Sequence, residues 1–207
     1  MRIFVTGAPG FIGSALVPEL LRAGHQVLGL TRSEAGAEKL KVAGAEVLHG
    51  NIEDLDILHE GASRTDGVIH LAFNHDFSQF QKNVDNDGKA IAAIGEVLVG
   101  SNRPFIVTSG TAIAANVDGK PSTEDSPISS RNPRAASEAA VKALTARGVN
   151  TSVVRLPQVH DTRKQGLVPY LLAVARAKGV SAYIGDGSNR WPVCACFRRG
   201  AALSAGF

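Results

Sequence analysis

Residues 1–33 read MRIFVTGAPGFIGSALVPELLRAGHQVLGLTRS. A short apolar run, Arg2–Thr6, stops at Gly7, and glycines recur at 10 and 13. An amphipathic stretch then leads to Gly24, and a second apolar run, Gln26–Thr31, ends in Thr31, Arg32 and Ser33. The order strand, glycine turn, helix, strand predicts a parallel βαβ unit. Such a turn sets backbone N–H groups and a helix N-terminus against whatever anion lies there. A dinucleotide pyrophosphate fits: Gly7 permits the tight turn, Gly10 lets the backbone approach the phosphates without a Cβ, and Gly13 lets the helix pack closely on the strand.

The same alternation continues along the chain. Further strands are expected at Glu46–Leu48, Gly67–Ala72, Phe105–Thr108 and Thr151–Leu156, each a short, nearly continuous apolar run of the kind that helices cover on both faces. Gly24, Gly44 and Gly148 stand where a left-handed residue closes a helix before the next strand. Pro18 falls inside the first helical pattern and should kink it or cost about 3 kcal/mol. The stretch 116–133, rich in Pro, Ser, Asp and Gly, reads as a long loop of the kind that is often functional. The fold expected is α/β, a doubly wound and mostly parallel sheet.

Composition narrows the function classes. With 207 residues and 44% hydrophobic content, the chain can bury a full core as one domain. Its net charge of +3 is scattered, without a basic block and with few aromatics, so nucleic acid is not an expected partner. No apolar run approaches the roughly 20 residues of a membrane span, and no leader is expected before the first strand. Only two cysteines occur, Cys194 and Cys196, too close for an unstrained disulfide and too few for a zinc site. A reducing, cytoplasmic setting and no metal are the expectations.

At this point several segments carry a resemblance. TGAPGFIG (6–13), DGVIHLAF (66–73), FIVTSGT (105–111) and VVRLPQVH (153–160) occur in the order of the turn and the fourth, fifth and sixth strands of the extended and atypical short-chain dehydrogenases/reductases. These are the NAD-dependent epimerase/dehydratase group, and the likeness covers about residues 1–192. It implies a Rossmann sheet holding a nicotinamide dinucleotide, with Phe11 and Ile12 joining Gly7, Gly10 and Gly13 at the pyrophosphate. Asn51 and Ile52 match positions near the adenine, and Leu71 and Ala72 match backbone beside the ribose. A small-molecule substrate is implied.

Cofactor choice turns on the end of the second strand, where an acid accepts bonds from the 2′-hydroxyl of NAD and an arginine suits the 2′-phosphate of NADP. Here Thr31, Arg32 and Ser33 offer a cation and two hydroxyls and no acid. NADP is therefore the expected cofactor, with NAD the alternative.

The catalytic half of the resemblance departs from its pattern. The family's Tyr-x-x-x-Lys pair is absent: four residues beyond Tyr170 and Tyr183 stand Val174 and Gly187. RAASEAAVKAL (134–144) resembles the corresponding helix with Arg134 in the tyrosine place and Glu138 in the lysine place. Arginine stays charged and cannot donate a proton near neutrality; Glu138 and Lys142, one turn apart, are expected to form an exposed pair. Ser109 and Thr111 lie where the family orients substrate, and His160 lies where it often has a tyrosine beside the nicotinamide. These three are the candidate catalytic residues. His70 reads as a satisfied core histidine, and His75 and Asp76 as a solvated loop on the ligand-binding side. The resemblance implies an NADP(H)-dependent oxidoreductase acting on a small carbonyl or alcohol. The alternative is a non-catalytic NADP(H)-binding, redox-sensing module.

After Trp191-Pro192 the pattern changes, and residues 193–207 form an atypical stretch in place of the family's next strand and helix, leaving the substrate-binding portion truncated. Read one nucleotide out of frame, the codons open to 194–207 permit, with suitable third bases, a segment close to the missing one. A frameshift is the expectation, with a tail too unpatterned to dock. Sequencing the gene tests it: an immediate stop in the alternative frame would make the tail native.

Overall fold

The structure, a computed structural model, describes residues 1–114, 121–129, 132–163 and 166–196. The described residues form eight strands and six α-helices: β1 (Arg2–Thr6), α1 (Gly13–Arg22), β2 (Gln26–Thr31), α2 (Glu34–Ala43), β3 (Glu46–His49), α3 (Leu55–Ser63), β4 (Gly67–His70), α4 (Phe80–Leu98), β5 (Phe105–Gly110), α5 (Ala135–Ala146), β6 (Thr151–Leu156), β7 (Gln158–His160), α6 (Val168–Lys178) and β8 (Val193–Ala195). The first six strands form one parallel sheet in the order β3-β2-β1-β4-β5-β6, the doubly wound arrangement the sequence implies. Strand order reverses between β1 and β4, and ligands of such sheets bind beyond the strands' carboxyl ends at that point.

The inner strands β1, β2, β4 and β5 are buried on both faces because their successive residues, which point to opposite sides, are mostly apolar. In β1, Phe4 joins a core with Leu58, Ile91, Ile94, Phe105 and Leu144 from the side of α3, α4 and α5. Ile3 and Val5 face the other way, onto Leu16, Leu20 and Leu40 of α1 and α2. Gly24, Gly44 and Gly148 adopt positive φ of 84, 88 and 81°, as expected of helix-closing residues. Helix α1 runs through Pro18 without interruption. Burial of Leu16, Val17 and Leu20 on both sides of the proline holds the helix together.

The chain does not lose order at Pro192. Val193–Ala195 pair in parallel with Gln158–His160, and Cys196 is buried with its thiol directed at the Phe11 carbonyl, 3.5 Å away. Main-chain pairing thus docks four residues that lack an amphipathic period. Residues 197–207, the rest of the expected tail, lie outside the described residues, as do 116–120 and 130–131 of the expected long loop. Helix α6 buries none of its residues and exposes Tyr170, Leu171 and Val174. Among the described residues, no helix is long and apolar enough to cross a membrane.

Candidate functional site

The glycine turn is closed by its own backbone: the Gly10 amide donates to the Gly7 carbonyl at 2.9 Å, and that of Ser14 to Gly10 at 2.9 Å. Each glycine is sterically required. Gly7 has φ of 67°, and a Cβ there would lie 2.9 Å from the Ala72 nitrogen; one at Gly13 would lie 2.4 Å from the carbonyl oxygens of both Gly7 and Ala8. The turn is thereby pressed against Leu71 and Ala72, beyond the end of β4, where the Ala72 amide donates to Thr6 Oγ1 at 3.2 Å. A Cβ at Gly10 would meet the Gly7 oxygen at 2.9 Å, so this glycine serves the turn itself as well as the approach of a ligand. No side chain caps α1 and no acid stands in its first turn, which leaves the positive end of its dipole uncompensated. This is a cradle that a pyrophosphate fits.

At the end of β2 the three polar residues have different fates. Thr31 is buried, its hydroxyl 3.3 Å from the Ser33 carbonyl. Ser33 caps α2 by accepting from the Gly36 amide at 3.2 Å. Gly36 allows this close start, since a Cβ there would lie 2.2 Å from Thr31 Oγ1 and 3.1 Å from Pro9. Arg32 is exposed and makes no ion pair among the described residues. Beyond β3, Asn51 Oδ1 accepts from the Glu53 amide at 2.6 Å, which shapes the turn. Ile52, Glu53, Leu55, Asn86 and Lys89 line a pocket of about 250 Å³.

Behind the turn lies a buried polar chain. Thr6 Oγ1 and His70 Nδ1 are 2.8 Å apart, and His70 Nε2 and Asp87 Oδ1 3.1 Å. Ser137 donates to Asp87 Oδ2 at 2.5 Å. The Ala72 amide donates to Thr6 Oγ1, and the His70 imidazole bridges that hydroxyl and the Asp87 carboxylate through its two ring nitrogens. His70 is the satisfied core histidine expected. Burial alone would raise the Asp87 pKa; the His70 hydrogen bond, the charges of His70 and Arg134 and the Ser137 hydroxyl outweigh it and hold the carboxyl below its ordinary value.

Arg134 stands just before α5, its amide held by Asn132 Oδ1 at 3.0 Å. Its guanidinium lies 3.7 Å over the Phe73 ring, donates to the Thr108 carbonyl at 3.3 Å and sits 3.9 Å from Asp87 Oδ2. A cation at a helix N-terminus opposes the dipole by about 0.3–1 kcal/mol. Phe73 also meets His75 and Phe80 edge-on, and Phe77 stacks on Phe80 and abuts Tyr170. His75 is exposed on the loop after β4, as expected; partial burial, then the Arg134 charge, lowers its imidazole pKa. Asp76 likewise behaves as a loop residue, capping the turn Phe77–Gln79 through the Ser78 amide and hydroxyl.

The expected Glu138–Lys142 pair is not formed. Glu138 is buried and pairs in bidentate fashion with Arg155 of β6, at 3.0 and 2.8 Å. The planar fork of arginine matches a carboxylate, whereas Lys142 points from the exposed side of α5. Burial would raise the Glu138 pKa, but Arg155, Ser109 and Arg134 together hold it low. Ser109 is buried beside this pair, its hydroxyl without a hydrogen-bond partner of good geometry. Thr111 opens the turn Thr111–Ile113 and is half-buried. His160 is half-buried on β7, Nδ1 3.4 Å from the Gln158 carbonyl. Its register partner is Ala195, and the next residue, Cys196, reaches Phe11; the β7–β8 pair thus abuts the glycine turn.

The structure therefore gathers the turn, Leu71, Ala72 and Ser109 at one edge of the sheet. Sequence reasoning missed Asp87, Ser137, Asn86, Lys89 and Arg155, whose partners lie too far along the chain for periodicity to reveal. The one available signal was His70, a buried imidazole that requires partners.

With that geometry in place, comparison identifies relatives. The sequence model of the NAD dependent epimerase/dehydratase family matches residues 3–195. An uncharacterised protein of Schizosaccharomyces pombe is 50% identical over 194 residues, 93% of this chain and 65% of that protein. The 2-alkyl-3-oxoalkanoate reductase of Stenotrophomonas maltophilia is 31% identical over 202 residues, 92% of this chain and 60% of that enzyme. The chain thus spans about 65% of the length of its S. pombe relative. In fold it is similar to the UDP-glucose 4-epimerase of Thermus thermophilus in complex with NAD, with a TM-score of 0.77 at 19% identity over 99% of this chain and 74% of that one. The chain belongs to the NAD-dependent epimerase/dehydratase family.

Proposed function

We propose that this chain binds NADP(H) at the glycine turn and is an oxidoreductase of a small carbonyl or alcohol. The observation that carries the reading is a cradle in which three glycines leave no room for a Cβ, beneath an uncapped helix, with exposed Arg32 where an acid would select NAD. The nicotinamide supplies or accepts the hydride. Amides around Gly7, Gly10, Phe11, Ile12 and Gly13 hold the pyrophosphate. Arg32 holds the 2′-phosphate, with Ser33 beside it and Thr31 shaping the loop from within. The adenine lies against Asn51 and Ile52, the latter lining a pocket with Asn86 and Lys89. Leu71 and Ala72 flank the ribose.

Proton handling falls to residues other than a tyrosine. Tyr183 is 74% exposed and Tyr170 packs edge-on against Phe77. His160 serves as the acid, with Ser109 and Thr111 orienting the substrate oxygen. Substitution of either tyrosine by Phe is expected to leave the steady-state rate within about twofold, while His160→Ala lowers it by about 10²–10⁴-fold, the usual worth of a general acid. Loss of several orders of magnitude in either tyrosine variant would contradict this assignment.

Arg32→Ala is expected to weaken NADPH by about 10- to 100-fold, since hydrogen bonds to charged groups contribute about 1.5–3 kcal/mol, and to leave NADH unchanged. Equal weakening of both cofactors in calorimetry would remove Arg32 from the 2′-phosphate site. The tie of Glu138 to Arg155 instead of a catalytic partner favours a second reading, a non-catalytic NADP(H)-binding module. A panel of carbonyl compounds followed at the nicotinamide absorbance separates the two: tight NADPH binding with no oxidation of it by any carbonyl supports the module.

A further inference from the structure

We propose that Arg134 and the aromatic shelf beside it form the subsite for a carboxylate carried on an apolar or aryl body, so that the substrate class is a carbonyl compound or alcohol that bears a carboxylate. This rests on the oxidoreductase reading and specifies its substrate. The guanidinium has five N–H donors, and among the described residues only one side-chain hydrogen bond uses them, the 3.3 Å contact to Thr108 O. Asp87 leaves it under-matched: its two oxygens accept from His70 and Ser137, and the nearest guanidinium nitrogen stops at 3.9 Å. Among the described residues no Arg134 nitrogen is both sealed from solvent and unpartnered, so its unused donors keep contact with solvent. The side chain itself is only 17% exposed. A largely desolvated cation with free, outward donors is an anion site.

Its position fits a substrate. Phe73, under the guanidinium, directly follows Ala72, whose backbone touches Gly7. Thr108, to which Arg134 donates, lies near the carboxyl end of β5, on the edge of the sheet where the cofactor cradle lies. The shelf extends through Phe77 and Tyr170, 48% and 50% exposed, which gives an apolar surface next to the charge. One guanidinium without a second cation in contact matches a monoanion, and its planar fork accepts a carboxylate through two parallel bonds.

The test uses phenylacetate, an unreactive carboxylate, and its methyl ester, measured by calorimetry on the free and the NADPH-loaded protein. Phenylacetate is expected to bind, at least tenfold more weakly to Arg134→Met and with intermediate affinity to Arg134→Lys, while the ester binds all three alike. Phe77→Ala should weaken acid and ester together. A purely structural role for Arg134 predicts equal loss of acid and ester in Arg134→Met, and that result overturns the subsite. Should Arg134→Met fail to fold, Arg134→Lys with Phe77→Ala decides, because an unchanged acid-to-ester ratio in Arg134→Lys also overturns it. A protein that takes NADPH but not phenylacetate retracts the subsite alone; one that takes phenylacetate but not NADPH retracts the cofactor reading alone.

Discussion

Asp87→Ala should lower the unfolding free energy by about 3–5 kcal/mol, the usual cost of removing one partner from a buried charged network. The carboxylate is 2% exposed and accepts from His70 and Ser137 while facing Arg134. Its loss leaves an imidazole and a hydroxyl without their acceptor, and a guanidinium without its facing charge, at the junction of β4, α4 and α5. The pH dependence has a defined sign. Since the folded pKa of Asp87 lies below its ordinary 3.8, its contribution is full above that value and is lost as pH falls through the folded pKa. Chemical denaturation of both proteins checks this: their difference should hold steady near neutrality and shrink on acidification below about pH 4. A difference under about 1 kcal/mol at pH 7 would mean that the network is not an integral part of the fold.

Gly10→Val should abolish binding of either dinucleotide, a loss of about a hundredfold or more if two charge-assisted amide contacts go. A Cβ at this position meets the Gly7 oxygen at 2.9 Å, so the turn opens as well as receiving a branched side chain. Gly10 has no positive φ, so the strain of valine is confined to its contact with the Gly7 oxygen. The helical circular dichroism should therefore persist, with a melting temperature lowered by a few degrees. Retained binding with an intact spectrum would detach the pyrophosphate from this turn.

Local signals made the sheet legible and left the site's wiring hidden. Arg2–Thr6, Gln26–Thr31 and Thr151–Leu156 are strands with the bounds their apolar runs imply, and three helix-closing glycines are left-handed where expected. Gly7 and Gly13 were readable because a turn and a close contact each demand the absence of a side chain. Pro18 stands inside an unbroken α1, with Leu16, Val17 and Leu20 buried on either side of it. Glu138 misled: Lys142 is near in sequence, but Arg155, 17 residues away, offers the better geometry. Asp87 and Ser137 meet across 50 residues, and no local pattern marks such a pair.

The central claim, that the turn and Arg32 together hold NADP(H), is tested most directly by titrating the unsubstituted protein with NADPH and NADH under identical conditions. The account predicts saturable binding of both, NADPH at least tenfold tighter, a preference that weakens with added salt because it rests on an exposed arginine facing a phosphate. Equal affinities, or tighter NADH, would contradict it.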